Sequence, residues 1–358
     1  MATVVLAGGG TAGHIEPALA VGREWMKNHP TDRCIFLGTK SGLETSLVPA
    51  AGFELTTIPR VRISRTPSVS WLRIPFDLIA SVLSSVKVVK KADVLVGFGG
   101  YVSAPAYLAA AITKTPIVIH EANAKPGWAN RLGARFTSHL AVAHPVEHGP
   151  FAEALLAGLP LRSDVASRCA ATGSDWSKAR SDAKARLGFS TDRPLVFIMG
   201  GSQGSAAINA VVAQSISTFT DNKISVLHSV GKLNALPEAV GGYKPVSYVE
   251  AMADAYLAAD LIIGRSGAVT CSEFRALGRY ALFVPLPIGN GEQFVNAASL
   301  VADARAEVIS QAEFTPDFIS THLVELLEKA SMAPIQGDPQ DLHAAEKIVA
   351  LTEFALKP

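Results

Sequence analysis

The sequence has few cysteines, almost no net charge and no long apolar run, and each absence excludes a class of protein. Its three cysteines form no C-x-x-C pair, which argues against a zinc site or a disulfide framework and suits a reducing cytoplasm. The 32 basic side chains nearly balance 31 acidic ones, so nothing indicates a nucleic-acid binder. No apolar run is long enough to predict a membrane-spanning helix, and no basic segment precedes the first apolar run, as a signal peptide requires.

The 358 residues, 49% of them hydrophobic, suffice for two domains that each bury a core. Short apolar runs alternate with helical patterns, which predicts parallel sheets with helices on both faces. A linker is expected at 158–164 and a final helix at 340–355. Strands are predicted at 3–7, 33–37, 94–97, 117–119, 139–142, 195–199, 224–228, 246–248, 261–263 and 281–284.

A glycine-rich loop after the first predicted strand carries the strongest signal. It spans residues 8–13, and a helix is predicted to begin near residue 15 or 16, just after His14. Glycine lets backbone N–H groups approach a ligand closely, and a helix N-terminus favours a phosphate. The dinucleotide pattern G-x-G-x-x-G also fits, but it expects an acid after the second strand, where Thr39 and Lys40 stand. A nicotinamide or flavin site is therefore disfavoured, and His14 is interpreted as a functional residue rather than a helix cap.

Several other loops follow predicted strands, and the carboxyl ends of parallel strands form the ligand-binding edge of such a sheet. They are 97–101, 120–123, 200–205, 264–273 and 285–296. The third of them repeats the strand–glycine–helix pattern, with a helix predicted at 206–217, which favours two similar domains and a phosphate-bearing ligand. Gln293 and Asn296 are amides suited to sugar hydroxyls. Glu273 fits either a ribose ligand or a solvated helix position.

The stretch 58–91 combines basic residues with aromatic and aliphatic ones and holds a single acid, Asp77. Its basic residues are Arg60, Arg62, Arg65, Arg73, Lys87, Lys90 and Lys91. Such a surface suits an anionic membrane, where each basic residue contributes about 1 kcal/mol. The composition equally fits an amphipathic helix with a solvated basic face, so both interpretations stand.

Six motifs, in order along nearly the whole chain, resemble glycosyltransferase family 28. They are Gly-Gly-Thr-Ala-Gly-His at 9–14, Gly-Gly-Tyr-Val-Ser-Ala-Pro at 99–105, His-Glu-Ala-Asn at 120–123, Gly-Gly-Ser-Gln-Gly-Ser at 200–205, Arg-Ser-Gly-Ala-Val-Thr-Cys-Ser-Glu at 265–273 and Pro-Leu-Pro-Ile-Gly-Asn-Gly-Glu-Gln at 285–293. The resemblance implies the α/β GT-B fold, two Rossmann-like doubly wound parallel-sheet domains with an interdomain cleft. It implies an N-terminal acceptor and membrane-facing domain, 1–161 plus 340–358, and a C-terminal UDP-GlcNAc-binding domain, 162–339.

The members that the chain resembles transfer N-acetylglucosamine (GlcNAc) from UDP-GlcNAc to the 4-hydroxyl of the N-acetylmuramyl (MurNAc) sugar of undecaprenyl-diphosphoryl-MurNAc-pentapeptide. The resemblance implies inversion at the anomeric carbon and a β-1,4 link in a peptidoglycan precursor. It implies a peripheral enzyme on the cytoplasmic face of the bacterial cell membrane, with 58–91 as its membrane face and cell-wall synthesis proteins as candidate partners. It implies neither a cofactor nor a metal, in agreement with the lack of a D-x-D pair, and no nucleic-acid partner is expected.

The resemblance also implies roles for individual residues. The donor would be bound by Thr11, Gly13, His14, Asn123, Arg162, Ser202, Ser266, Ala268, Val269, Thr270, Glu273 and Gln293. The acceptor diphosphate would be received by Gly9, Gly10, Gly13, Gly99, Gly100 and Tyr101. His14 is predicted to be the catalytic base, because an imidazole with a pKa of about 6.5 suits proton transfer at neutral pH. The alternatives are Glu16 or Glu121 as the base, or a positioning role for His14.

Three positions depart from the family pattern. Ala122 and Glu292 stand where glutamine is usual, and Leu159 replaces an asparagine. Two other classes of function also remain open: a UDP-GlcNAc 2-epimerase-like enzyme, which needs no lipid acceptor, and a scaffold that binds a nucleotide sugar without turning it over. Transfer to a lipid acceptor separates both of these from the main prediction.

Overall fold

The computed structural model describes residues 1–61, 74–172, 175–287 and 291–357. The chain divides into two compact units, Met1–Arg162 with Gln340–Pro358 and Ser163–Pro339. Arg162, which the resemblance assigns to the second domain, thus belongs to the first unit. Part of the predicted membrane face, 62–73, and part of the loop 285–296, 288–290, lie outside the described residues.

The first unit is built on a parallel sheet. Its strands are β1 (Thr3–Ala7), β2 (Arg33–Gly38), β3 (Glu54–Thr57), β4 (Val94–Gly97), β5 (Ile117–Glu121), β6 (Leu140–Val142) and β7 (Leu155–Leu156). They lie in the order β3-β2-β1-β4-β5-β6-β7. The helices, numbered in chain order, are α1 (Ala12–Asn28), α2 (Glu44–Ala50), α3 (Ile74–Val89), α4 (Ser103–Thr113), α5 (Trp128–Gly133) and, from the end of the chain, α14 (Ala344–Ala355).

The second unit repeats this plan. Its strands are β8 (Leu195–Met199), β9 (Ser225–Ser229), β10 (Tyr243–Val246), β11 (Leu261–Gly264), β12 (Ala281–Phe283) and β13 (Ala306–Val308), in the order β10-β9-β8-β11-β12-β13. Its helices are α6 (Ser163–Thr172), α7 (Trp176–Arg186), α8 (Ala206–Gln214), α9 (Ile216–Asp221), α10 (Met252–Ala258), α11 (Ala268–Leu277), α12 (Glu292–Ala302) and α13 (Pro316–Met332).

The central strand β1 sends alternate side chains into two separate cores, as a strand covered on both faces must. Val4 packs in one core with Ile15 of α1 and Ile348 of α14. Val5 packs in the other core with Tyr107 of α4. The last helix of the chain therefore completes the core that the first strand begins.

Both sheets reverse their direction of winding beside their first strand. β1 lies between β2 and β4, and β8 lies between β9 and β11. Doubly wound sheets bind ligands in the crevice at this switch point, beyond the carboxyl ends of the strands. The loops 8–11 and 98–102 meet at the first switch point, and the loops 200–205 and 265–267 meet at the second.

The strands that the sequence prediction misses or misplaces all lie at a sheet edge or beside one. The strand predicted at 246–248 is found at Tyr243–Val246, where Pro245 weakens the strand signal and is tolerated because the strand is an edge. The strands β3, β7 and β13 are absent from the prediction and close the remaining edges. Edge strands are covered on fewer sides, so their apolar pattern is short and interrupted.

Helix boundaries also differ from the prediction. α1 begins at Ala12, earlier than residue 15, and the helix predicted at 206–217 is divided into α8 and α9. The division falls at Ser215, whose hydroxyl donates to the Val211 carbonyl at 2.8 Å and so competes with the helical ladder. The final helix is preceded by a 3-10 turn, Pro339–His343. Within the described ranges, none of the helices combines the length and the apolar character that crossing a membrane requires.

Candidate active site

The first glycine loop turns the chain sharply between β1 and α1. A Cβ added at Gly8 would lie 2.6 Å from the carbonyl oxygen of His14, and Gly10 has a φ of +91°, so both positions favour glycine. Thr11 has the extended backbone of an N-cap, which is why α1 begins at Ala12. Its Oγ1 lies 3.1 Å from Nδ1 of His14 and caps no backbone N–H group. The Thr11 side chain therefore orients the imidazole.

The imidazole of His14 lies on the backbone of the second glycine loop. Gly99 and Gly100 have φ of +87° and +80°, and a Cβ on them would approach the ring to 3.3 Å and 3.2 Å. Burial lowers the pKa of His14, while a hydrogen bond with the Gly9 backbone and the charge of Glu44 act in the opposite direction. The imidazole is therefore neutral at pH 7. Because Nδ1 faces the Thr11 hydroxyl at 3.1 Å, Nε2 is the ring nitrogen that we predict to accept a proton.

Glu44 is a buried carboxylate behind this loop. One of its oxygens accepts from the backbone N–H and the hydroxyl of Thr39 at 2.7 Å and 2.9 Å, and the other accepts from the Gly10 N–H at 3.1 Å. A Cβ added at Gly42 would overlap the carboxylate, so that turn requires glycine. Glu44 has no exposed surface, and its charge therefore acts on His14 through a medium of low dielectric constant.

Glu121 ends β5 and holds the loop that follows it. Its Oε1 accepts from the backbone N–H and the side-chain amide of Asn123 at 2.8 Å and 3.1 Å. Its Oε2 accepts from the Gly127 N–H at 2.9 Å and from Nδ2 of Asn130 at 3.0 Å. Burial raises the pKa of Glu121, and these hydrogen bonds lower it. Both oxygens are therefore engaged, and the hydrogen bonds of Oε1 fix the orientation of Asn123.

Glu16, the other alternative for the base, lies beside Arg162. Nη1 of Arg162 is 3.8 Å from Oε1 of Glu16, and both side chains are largely buried. The segment before Arg162 is fixed within the first unit, because the N–H of Leu159 donates to Asp341 at 3.0 Å. Leu159 itself is fully buried, and Ala122 is also buried, so both departures from the family pattern are packed inside the unit.

The two loops predicted to receive the acceptor diphosphate are tied to each other. The hydroxyl of Ser103 lies 2.7 Å from the carbonyl oxygen of Gly99 and 2.8 Å from that of Ala7, the last residue of β1. The N–H of Gly10 already donates to the buried carboxylate of Glu44, so it can donate to a phosphate only when that hydrogen bond breaks. Tyr101 is exposed, and the Arg60 guanidinium lies 5.7 Å from its ring centroid, which places a positive charge beside the loop.

In the second unit, the 200–205 loop makes a tight turn and caps α8. Gly201 and Gly204 have φ of +89° and +76°, and the N–H of Gly204 donates to the Gly201 carbonyl at 2.9 Å. Ser205 is the N-cap, and its hydroxyl accepts from an N–H group in the first turn at 3.4 Å. Ser202, a predicted donor ligand, is partly buried within this turn.

Helix α11 begins directly after β11. Its N-cap is Gly267, and the N–H of Cys271 is the first to bond back to it, at 3.0 Å, so the N–H groups of 268–270 lie outside the helical ladder. Ser266 is fully buried, and its Oγ has no hydrogen-bond partner within the described parts of the chain. An orphan hydroxyl beside a helix N-terminus offers donors to an anion such as a diphosphate.

The predicted ribose and sugar ligands lie near this helix start. Glu273 is buried, and its Oε2 accepts from the hydroxyl of Tyr256 at 2.9 Å, which fixes the carboxylate. Oε1 of Gln293 accepts from the N–H of Leu286 at 2.9 Å, and its NH2 group has no acceptor among the residues that the structure describes. Asn296 is buried, and its side-chain amide lies 3.3 Å from the backbone carbonyl at position 266 and from the backbone N–H at position 268.

Arg265 is a buried cation between the two loops of the second switch point. Its Nη1 donates to the carbonyls of Val284 and Pro285 at 2.8 Å and 2.9 Å. Its Nη2 donates to the hydroxyl of Ser205 and to Oε1 of Gln311, both at 2.7 Å. Burial lowers the pKa of Arg265. All four acceptors are neutral, so they satisfy the guanidinium hydrogen bonds without compensating its charge.

The structure brings most predicted residues together within each unit. In the first unit, Thr11, His14 and the two glycine loops surround one switch point, and Asn123 is held at the end of β5. In the second unit, the loop of Ser202 and the start of α11 surround the other. The prediction does not include Glu44 and gives Arg265 no role. Their contacts join positions 34 and 60 residues apart, which no local pattern signals.

Two family models match the chain: the N-terminal domain of glycosyltransferase family 28 over residues 4–142 and its C-terminal domain over residues 195–350. The crystal structure of Acinetobacter baumannii MurG is similar, with a TM-score of 0.69 and 26% identity over 99% of this chain and 100% of that one. A Neisseria meningitidis UDP-GlcNAc 2-epimerase bound to UDP-GlcNAc, 15% identical with a TM-score of 0.59, shares the fold alone.

Curated relatives share one name, UDP-N-acetylglucosamine--N-acetylmuramyl-(pentapeptide) pyrophosphoryl-undecaprenol N-acetylglucosamine transferase. The protein of Thermobifida fusca is 45% identical over 331 residues, 90% of this chain and 85% of its own length. That of Streptomyces avermitilis is 40% identical over 358 residues, 98% of this chain and 93% of its own. The two parallel-sheet units and these matches define a glycosyltransferase of the GT-B fold. More narrowly, the chain belongs to glycosyltransferase family 28.

Proposed function

We propose that this chain transfers GlcNAc from UDP-GlcNAc to the 4-hydroxyl of MurNAc in undecaprenyl-diphosphoryl-MurNAc-pentapeptide, with inversion at the anomeric carbon. The observation that carries the proposal is the agreement of relatives 40% to 45% identical over at least 90% of the chain, all named for this reaction. The epimerase alternative has weaker support, since its structural neighbour is 15% identical.

In this proposal the first unit receives the acceptor and accepts its proton. Nε2 of His14 takes the proton of the attacking hydroxyl, because this ring is neutral, oriented by Thr11 and supported by two glycine loops. The buried carboxylate of Glu44 stabilises the imidazolium that forms. Glu121 orients Asn123 toward the donor sugar. The glycine loops at 9–13 and 99–101 receive the acceptor diphosphate.

The second unit binds the donor and stabilises the departing UDP. The N-termini of α8 and α11 present N–H groups and positive partial charge to the diphosphate, and the orphan hydroxyl of Ser266 gains a phosphate oxygen as its acceptor. Ser202 and the turn 266–270 complete this diphosphate site. Glu273 accepts bonds from the ribose hydroxyls, and Gln293 donates its NH2 group to the GlcNAc hydroxyls.

The proposal places the enzyme on the cytoplasmic face of the membrane, attached through the 58–91 stretch. On α3, the exposed residues Phe76, Ile79 and Leu83 recur at helical spacing. Lys87 continues this spacing, and Lys90 follows directly after the helix ends. Apolar side chains followed by ammonium groups suit insertion at an anionic lipid surface. The part of the stretch at 62–73 lies outside the described residues.

The reaction is tested by incubating the protein with radiolabelled UDP-GlcNAc and a short-chain lipid acceptor in the presence of EDTA. We expect label in the lipid fraction. Donor binding without transfer would instead indicate the scaffold, and UDP release without an acceptor would indicate an epimerase or a hydrolase.

Membrane attachment is tested by sedimentation with vesicles of phosphatidylcholine, with and without phosphatidylglycerol. We expect binding to the anionic vesicles and its loss in Leu83→Asp, which introduces a charge on the exposed apolar face of α3. Leu233→Asp is the matched control, because Leu233 is 88% exposed on the second unit. Equal loss in both variants, or equal binding to neutral vesicles, would contradict attachment through α3.

A further inference from the structure

We propose that Arg265 is a positioning residue for the donor diphosphate, which holds both helix N-termini of the second switch point in register and supplies a fixed positive charge behind them. This inference rests on the proposed donor site but concerns a residue to which the site assignment gives no role. Three observations carry it: the geometry of its hydrogen bonds, its uncompensated charge, and the orphan hydroxyl next to it.

The hydrogen bonds of Arg265 join elements that are distant in the chain. One guanidinium nitrogen reaches Ser205, the N-cap of α8, and the other reaches the two carbonyls that follow β12. The residue itself directly follows β11 and lies two positions before Gly267, the N-cap of α11. The planar fork of an arginine satisfies acceptors in two directions at once, which a lysine ammonium does not do with the same geometry. A displaced Arg265 would therefore move the start of α8 relative to the start of α11.

The charge of Arg265 has no acidic partner in the described ranges, where no carboxylate lies within ion-pair distance of it. Arg265 is 8% exposed, and a buried charge without a counter-ion is costly. A bound diphosphate supplies the missing negative charge. Arg265 thus makes the free second unit less stable than a neutral residue of its shape would, and favours the unit with an anion bound.

Ser266 gives independent evidence that an anion belongs here. Its hydroxyl is buried, follows Arg265 directly in the chain and has no partner among the described residues. Buried hydroxyl groups in proteins are ordinarily hydrogen-bonded. Unlike the equally unpartnered hydroxyl of Ser272 within α11, that of Ser266 lies just before the N-terminus of the helix, where a bound anion would supply its acceptor. Helix α11 begins two residues later, at Ala268, which places charge, hydroxyl and helix terminus in one short segment.

The same unit offers a matched control in Arg279. This arginine is also buried, at 4% exposure, and its guanidinium lies 4.2 Å from the ring centroid of Trp176. Its nearest acceptors are backbone carbonyls at 3.3 Å and 3.5 Å. It lies after the end of α11, away from the two loops of the switch point. Loss of a buried arginine as such should affect both variants, whereas loss of diphosphate binding should follow Arg265 alone.

The test measures the affinities of UDP and uridine by calorimetry for the wild type, Arg265→Lys and Arg279→Lys. We expect Arg265→Lys to weaken UDP binding by about 10-fold to 100-fold and to leave uridine binding unchanged. A lysine does not reproduce the fork that joins the N-cap of α8 to the loop after β12, so the helix starts that serve the phosphates lose their alignment. Arg279→Lys should keep the wild-type ratio of UDP to uridine affinity. Circular dichroism melts accompany each protein, so that a variant with lowered thermal stability is compared below its transition.

An unchanged ratio of UDP to uridine affinity in Arg265→Lys overturns the proposal, even when its melting temperature falls. Equal loss of that ratio in Arg279→Lys also overturns it. Arg265→Met removes the charge as well as the fork, so it should weaken UDP binding more than Arg265→Lys does, and the difference between the two variants measures the contribution of the charge. The proposed reaction is tested separately, by lipid-linked label in the wild type. A wild-type protein that binds UDP but transfers no GlcNAc would contradict the proposed reaction and leave the role of Arg265 unaffected.

Discussion

The two switch points have the same topology but hold buried charges of opposite sign. In the first unit the carboxylate of Glu44 holds the glycine loop after β1, and that of Glu121 holds the loop after β5. In the second unit the loops are held by the guanidinium of Arg265. Each charged group bonds to backbone or neutral side chains, so its charge remains available to the crevice in front of it. The same strand–glycine–helix arrangement is thus combined with a negative electrostatic field in the first unit and a positive one in the second.

This difference matches the two halves of the proposed reaction. A base that accepts a proton becomes cationic, and a carboxylate behind it lowers the energy of that cation. A departing nucleoside diphosphate is anionic, and a guanidinium behind it together with two helix N-termini lowers the energy of that anion. The lesson is that the topology provides the crevice, while the buried side chains behind the loops decide which charge it stabilises.

The largest expected effect comes from removing His14, the proposed proton acceptor of the first crevice. His14→Ala should lower kcat by about 10²-fold to 10⁴-fold, the usual contribution of a general base. UDP affinity should stay near the wild-type value, because the diphosphate is bound by the second unit. Steady-state transfer kinetics and UDP calorimetry measure both quantities. A near-normal kcat in this variant would leave His14 only a positioning role, and the first crevice would then no longer differ from the second as a proton acceptor.

Exchanging one buried carboxylate for an amide sharpens the comparison within the first unit. Glu44→Gln removes the charge that raises the pKa of His14, so that pKa should fall further. The base is active when neutral, and the acid limb of the kcat/KM profile should therefore move to lower pH. Glu121→Gln is the control, since burial, the Gly9 backbone and Glu44 account for the His14 shift without it.

Each of these two variants should lose about 1–3 kcal/mol of folding free energy, because buried backbone donors lose their acceptor. Urea unfolding at pH 7 checks this loss. Equal displacement of the pH profile in both variants would show that the effect comes from the loop geometry and not from the charge of Glu44.

The second crevice is tested by a pair of serines on or beside α11. Ser266→Ala should weaken UDP binding by about 10-fold, because its hydroxyl is the donor left for a phosphate oxygen. Ser272→Ala is the matched control, since its hydroxyl is also buried and has no partner in the described part of the chain. Neither variant should lose stability, as no protein hydrogen bond is removed. Equal UDP affinities in the two variants would argue against a phosphate at Ser266.

The smallest effect concerns a feature in which the two units agree. Each buries a neutral histidine, His120 in the first and His228 in the second, and burial lowers the pKa of both from 6.5 to about 4. Between these values the unfolded chain binds a proton that the folded chain does not, so stability falls as the pH falls. Each histidine should contribute a slope of about 1.4 kcal/mol per pH unit.

Urea unfolding at pH 7, 6 and 5 measures this slope, and His228→Gln should reduce it by the share of one histidine. Gln retains a donor and an acceptor for Asn209 and Tyr243, which bond the two ring nitrogens of His228 at 3.1 Å and 2.9 Å. An unchanged slope in the variant would show that other groups cause the acid sensitivity.

The sequence predicts the centre of each sheet better than its edges. The strands β1, β4 and β8 are predicted with the bounds that the structure gives, because they are covered on both faces and read as unbroken apolar runs that end in glycine. The edge strands β3, β7 and β13 are half-exposed, and β10 contains Pro245, so the same rule fails there. The more sides of a strand are covered in the structure, the clearer is the apolar run by which the sequence predicts it.

The candidate site divides in a similar way. Residues at loop and helix starts, such as His14 and Ser266, are found from sequence because glycine and helix-start signals surround them. Glu44 reads as an ordinary acid in the first turn of a helix, and its approach to Gly10 depends on how β1 and β2 pair. Side chains that support the loops of a site, as Glu44 does, are positioned by tertiary packing. No local pattern in a single sequence predicts such contacts.

The membership of α14 in the first unit has a consequence for synthesis of the protein. Ile348 and Val349 belong to the same core as Val4, and His29 of the loop after α1 pairs with Glu353 at 2.7 Å. The second unit is contiguous in the chain and leaves the ribosome whole, while the first must wait for its last helix. The unit that carries His14 is therefore started before the second unit and finished after it, with an open apolar face in the interval.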